Sequence, residues 1–237
     1  MGSSGLSRVA RDASRPSNPR HRLAPLLNKM DKFNFDSLRI FDLTFPGHWL
    51  EGEDRNQAFQ IAHVLQMIQD LFIEAVSSCA LLRPLTSENI REYLERTETH
   101  KETPYERCLN AVYAKAFIFA LDGIEKLMCR LVTNYSAPEK VKHLHEEYQK
   151  LFGHLKHMRD SAIHIEDRGR GKTRKQQPLK THIVALGCFI ERRCVFTGED
   201  GKQYEIEISE STLKQVKSII QAVINSYPWL EESKIIF

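Results

Sequence analysis

This sequence predicts a mainly α fold, a bundle of four to five helices with a β-hairpin inserted before the last helix. Three observations carry that expectation. Between residues 54 and 167, long stretches repeat apolar side chains at helical spacing. Between residues 181 and 208 the pattern changes to β-forming and then alternating sequence. The composition, 41% hydrophobic and 27% charged over 237 residues, supplies enough apolar side chains for one medium-sized core.

Residues 1–35, opening "MGSSGLSRVARDASRPSNPRHR", are rich in Ser and Arg and poor in acid, and they are expected to form a disordered basic tail. The rest, 36–237, reads as a single domain. The tail shares its composition with transit peptides but lacks the apolar centre of a secretory signal. Leu6 breaks the myristoylation pattern. Residues 36–53 mix aromatics with Pro46 and Gly47 and read as an irregular segment packed on the domain.

The first long helix is expected at 55–82, with Phe59, Ala62, Leu65, Ile68, Phe72 and Val76 on its core stripe and Pro84 beyond its end. Ser87 is placed to cap a short helix, "ENIREYLERTE". Thr103 followed by Pro104 starts the next, 104–134, which buries Phe117, Leu121, Ile124, Met128 and Leu131. Gly123 inside it costs about 1 kcal/mol against alanine and so marks close packing. A fourth long helix, 139–167, carries the stripe Val141, Leu144, Tyr148, Leu151, Leu155, Met158 and Ala162. The glycine-bearing basic loop "RGRGKTRKQQP" follows. The hairpin is expected near 188–208, with "TGEDG" as its turn and Tyr204, Ile206 and Ile208 on one face. Ser209 or Ser211 opens the last helix, 211–226, which Pro228 stops.

Several function classes lose support here. The net charge of +3 gives no global argument for nucleic acid, so any such argument must come from local patches. Cys79, Cys108, Cys129, Cys188 and Cys194 lie far apart, without C-x-x-C spacing, which points to reduced thiols rather than a disulfide framework or a zinc site. No apolar run reads as a membrane span, so a cytoplasmic chain with no membrane partner is expected. "GEDG" is a turn and not a phosphate loop, no dinucleotide fingerprint occurs, and no cofactor is expected. His143, His154, His157 and His164 fall within an arc of about 80° on the fourth helix. No Cys or inward carboxylate completes a ligand set, so no metal site is expected. Trp229 in "YPWL" reads as a packed cap or as an anchor for a partner.

The stretch with chemical content is "HMRDSAIHIEDR", residues 157–168. Asp160 and His164 are four apart, about 40° around a helix, so the carboxylate can hold one imidazole nitrogen and leave the other free to move a proton. Arg159 adds a permanent forked charge suited to a phosphate. Arg168, Arg170, Lys172, Arg174 and Lys175 follow, five cations in eight residues. They fit either an RNA backbone or a solvated loop. His157 is a candidate second proton carrier or RNA contact. These residue types suit attack of an RNA 2′-hydroxyl on its own phosphate, which needs acid–base help and charge stabilisation but no metal. By spacing alone, the ordinary reading is a charged helix end.

The pattern "RDSAIH", Arg159 to His164, resembles the signature of the HEPN superfamily: arginine, a polar residue, three residues, then histidine. The resemblance implies a HEPN-like helical bundle over about 54–228 that pairs as a homodimer, with the two motifs in one shared cleft. It implies a metal-independent endoribonuclease that leaves a 2′,3′-cyclic phosphate and a 5′-hydroxyl, acting as a toxin or antiviral defence effector. RNA would be the substrate, and an antitoxin or other defence-system protein a possible partner. Carried across by position, Arg159 would stabilise the phosphate, His164 would handle the proton and Asp160 would orient His164. The alternative within the same resemblance is a non-catalytic module that binds a protein or nucleotide. Arg159 and His164 lie five apart, about 140° around an ideal helix. They can meet one substrate only if the helix bends or ends there, or if a second subunit supplies the other half.

Overall fold

Asp54 opens the first helix, α1 (Arg55–Leu81), by accepting the amide N–H groups of Asn56 and Gln57 on its carboxylate. In the computed structural model the described residues are 50, 54–82, 104–181, 183–190 and 192–229. The expected tail, the 36–53 segment apart from Leu50 and the short helix after Ser87 lie outside them. The apolar stripe of α1 is Ala58, Ile61, Leu65, Ile68 and Phe72, one residue out of phase at its start with the expected one. Phe59 is therefore 65% exposed. Contrary to expectation, α1 is long and apolar enough to cross a membrane by length and composition, yet half of that window is buried inside the protein, where the helix packs on the next long helix and the last one.

The partner of α1 is α2 (Pro104–Asn134). Phe117, Leu121, Ile124, Met128 and Leu131 are fully buried, as their spacing predicts. Each such side chain contributes about 1.5–3 kcal/mol of burial. Gly123 marks the closest approach, since a Cβ there would lie 2.8 Å from Leu71 Cδ1.

The expected helix 139–167 is three helices: α3 (Glu139–Phe152), α4 (Leu155–Ile163) and α5 (Ile165–Gly169). Its phase changes at Gly153. Phe152 is buried and Leu151 is exposed, while Leu155, Met158 and Ala162 return to the core. The expected hairpin is a three-stranded antiparallel sheet of β1 (Leu186–Ile190), β2 (Arg193–Thr197) and β3 (Gln203–Glu207). What reads as one β-rich run is two antiparallel strands, with Arg192 lying between them. Gly187, at φ +81°, supplies the bulge between Leu186 and Cys188. Tyr204, Ile206 and Ile208 turn inward, alternating with exposed Gln203, Glu205 and Glu207. The last helix, α6 (Glu210–Ile224), is capped by Ser209, whose hydroxyl accepts the Thr212 N–H.

A buried hydrogen bond fastens the sheet to α4 at Ser161. Ser161 Oγ donates to the Thr197 carbonyl at 2.6 Å, and Thr197 Oγ1 accepts the Ala185 N–H at 2.7 Å. Ser161 and Thr197 are both fully buried, so this lock sits inside the motif segment itself. Trp229 is a packed cap: its indole donates to the Ile224 carbonyl and its backbone pairs with Leu50. The five cysteines are free thiols, and burial raises Cys79 to about 11 and Cys194 to about 12.

Candidate functional site

Arg159 projects from α4 toward α2, into a carboxylate clamp. Its Nη1 donates to Asp122 Oδ2 at 2.6 Å, while Nη2 and Nε donate to Asp160 Oδ1 at 2.6 and 3.0 Å. Lys126 reaches the same Asp122 oxygen at 2.6 Å. Asp122 is almost wholly buried, and desolvation raises its pKa against the pull of Arg159. Such a carboxylate persists in the interior because cations surround it. Asp160 therefore holds Arg159 and not His164, a correction to the expected orienting role. The i, i+4 geometry permitted the His164 contact, but a guanidinium one residue away offers two donors to the same oxygen.

His164 ends α4 and precedes α5, with φ −102° and ψ 38°, outside helical values. Its N–H still bonds to the Asp160 carbonyl, and its own carbonyl accepts the Arg168 N–H. The imidazole is about one-third exposed. Nδ1 lies 4.0 Å from Asp167 Oδ2, beyond hydrogen-bonding distance. The helix thus ends within the motif, which is the condition that the five-residue offset between Arg159 and His164 imposes.

Of the five cations expected to contact RNA, one is not at the surface. Arg168 is 1% exposed, and its Nη1 donates to the Lys172 carbonyl at 2.9 Å. Its Nε has no partner. It is an internal strut for the loop rather than a surface contact, because α5 turns its side chain under the loop. Arg170, Lys172, Arg174 and Lys175 are exposed. Their loop is ordered by its own hydrogen bonds. Gln176 N–H donates to the Thr173 carbonyl, Gln177 N–H to Thr173 Oγ1, and Leu179 N–H to the Gly171 carbonyl. Gln176 Nε2 also reaches Asp167 Oδ1 at 2.8 Å.

His157 is exposed on α4, and its ring stacks on Tyr204 of β3 with centroids 4.6 Å apart and planes 8° from parallel. His154, one turn earlier, is half-buried, and its Nε2 has no partner. Burial holds its pKa below the ordinary histidine value, against a backbone bond to Glu205. His143 sits far along α3 beside Glu139 and Glu146, at 3.9 and 3.8 Å. The breaks at Gly153 and His164 set His143 and His164 apart from His154 and His157, which a straight helix would align with them. Among the described residues no group of three His, Cys, Asp or Glu side chains is placed to hold a metal.

The sequence reading missed Asp122, Glu125, Lys126 and His145. Glu125 Oε1 lies 2.9 Å from His145 Nε2 and accepts from Gln149 Nε2 at 2.9 Å. A signal existed: Asp122 is a lone acid within the apolar run "FIFALDGI", where only a paired charge persists. No family model matches this sequence, and no curated protein and no solved structure matches it.

Proposed function

We propose that the chain is a HEPN-type, metal-independent endoribonuclease working as a twofold dimer, with its α4 helices near the axis. The observation that carries this is the helix end at His164. It leaves a partly exposed imidazole, with no hydrogen bond from the described residues holding it, five residues after a fixed guanidinium. In the reaction the 2′-hydroxyl forms a bond to phosphorus while the bond to the 5′-oxygen breaks. His164 handles one of the two proton transfers, and Arg159 stabilises charge on the phosphorane oxygens. Exposed Ile163, next to His164, supports an apolar contact with a second copy at this place. A toxin or defence role, with an antitoxin-like partner, belongs to the same reading.

One observation favours the non-catalytic reading. The Arg159 guanidinium already serves two carboxylates, so a phosphate must displace Asp160 to reach it. Asp160 is 40% exposed, which leaves it room to swing away. The test is to incubate purified protein with mixed RNA and map the ends. Expected products carry a 2′,3′-cyclic phosphate and a 5′-hydroxyl, chelator has no effect, and His164→Ala abolishes cleavage. Activity that survives His164→Ala, or that vanishes with chelator and returns with a divalent ion, overturns the mechanism.

A further inference from the structure

We propose that the edge formed by α4, the β2–β3 turn and the 170–175 loop binds single-stranded RNA, with an unpaired base stacking on the His157–Tyr204 ring pair and loop cations holding flanking phosphates. This rests on the ribonuclease reading for its substrate and not for its geometry.

The ring pair is an ordered platform. Tyr204 is fixed at its far end, where its hydroxyl donates to Asp200 Oδ2 at 2.8 Å. Asp200 in turn accepts the Lys202 N–H at 3.1 Å. Burial works against the Asp200 charge, but the Tyr204 hydroxyl and Lys202 outweigh it and keep the carboxylate ionised. Tyr204 covers one side of the His157 ring, and the residue nevertheless stays exposed. Parallel aromatic planes offer a base a surface that any sequence can use.

The cation-bearing loop reaches the same turn through its backbone. Arg174 N–H donates to Glu199 Oε1 at 3.1 Å, next to Asp200, so the loop is tied to the turn that anchors Tyr204. On the other side, Gly201 lies against Lys180, where a Cβ would be 3.3 Å from the Lys180 carbonyl carbon. Lys172, Arg174, Lys175, Lys180 and Lys202 are exposed, and no described carboxylate pairs with the first four. Glu199 and Asp200, the acids at the turn, are engaged by an amide and by Tyr204. Cations beside an aromatic platform fit single strands: duplex RNA keeps its bases stacked inside and offers the platform nothing.

The test uses fluorescence anisotropy in a His164→Ala background, so that bound RNA survives. The probes are a labelled single-stranded oligoribonucleotide and the same sequence as a blunt duplex. His157→Ala is expected to weaken single-strand binding by about tenfold or more and to leave duplex binding unchanged. His157→Phe restores single-strand binding, with circular dichroism confirming the fold of both variants. Arg174→Ala with Lys175→Ala weakens both probes and lowers the salt slope by about two. Equal loss on both probes with His157→Ala, failure of His157→Phe to restore binding, or no RNA binding at low salt overturns the surface. The expected pattern without cleavage by the unmodified chain overturns the ribonuclease reading and leaves the surface standing. Cleavage with His157→Ala neutral overturns the surface alone.

Discussion

The two ends of "RDSAIH" sit in opposite environments. Arg159 is wired into the core through a buried acid on another helix, while His164 sits at a helix break with no hydrogen bond from the described residues to its ring. The difference separates what each residue does for folding from what it could do for chemistry. Removing Arg159 disturbs α2 and α4 together, and removing His164 disturbs little else. Any loss of function is therefore interpretable at His164 and confounded at Arg159.

The largest stability effect belongs to the clamp. Arg159→Met is expected to cost about 2–4 kcal/mol, because it strands the buried Asp122 carboxylate with Lys126 alone. Adding Asp122→Leu should recover at least half, since replacing both charges by apolar groups removes the unpaired ion. Denaturant melts of the single and double variants measure both. A cost near zero for Arg159→Met would show that the clamp does not couple the helices and would erase the contrast.

Next comes the break that aims α4. Gly153→Ala is expected to destabilise by about 1–3 kcal/mol, comparable with other backbone clashes. The added Cβ would lie 2.5 Å from the Gln149 carbonyl oxygen, a backbone atom that cannot rotate away. Denaturant melts against wild type read the cost. An unchanged midpoint would mean that α3 and α4 tolerate a straighter junction, and the clamp geometry would then owe nothing to Gly153.

These two features also mark the limit of legibility. The stripe of α2 and the alternation of β3 could be read because each depends only on which side of one element is apolar. The expected helix 139–167 runs straight through Gly153, since the effect of that glycine depends on one carbonyl a turn away. The Asp160 partner was misplaced for a related reason: helical spacing names neighbours on one helix, but Asp122 arrives from α2 and fixes which donor Asp160 meets. Arg168 reads as surface by charge and is buried by the turn of α5. The HEPN resemblance rests on six residues. The structure shows the arginine clamp and the helix end at His164, and neither bears on that resemblance.

A smaller effect separates the two regions by pH. Burial depresses the His154 pKa, so the unfolded chain binds its proton more readily than the folded one. Stability from this group is therefore present above the unfolded value, 6.5, and is lost as pH falls through the lower folded value. Thermal melts between pH 8 and 5 should show wild type losing more stability than His154→Gln. Parallel curves would mean that His154 is protonated without cost in the folded state, and the junction between α4 and β3 would be wetter than its burial indicates.

The smallest stability effect carries the most functional information. His164→Ala is expected to change stability by less than about 0.5 kcal/mol. The ring is about one-third exposed, makes no hydrogen bond, and faces Asp167 only at 4.0 Å. The backbone bonds on either side, His164 N–H to Asp160 and Arg168 N–H to His164, do not involve the ring. Alanine also tolerates the φ of −102° found there, so the break between α4 and α5 should persist. Melts and cleavage measured on the same preparation then separate two cases. Unchanged stability with lost cleavage assigns the imidazole to chemistry. A loss of stability comparable with that of Arg159→Met would show that His164 is a structural joint after all, and the contrast between the two ends of the motif would fall.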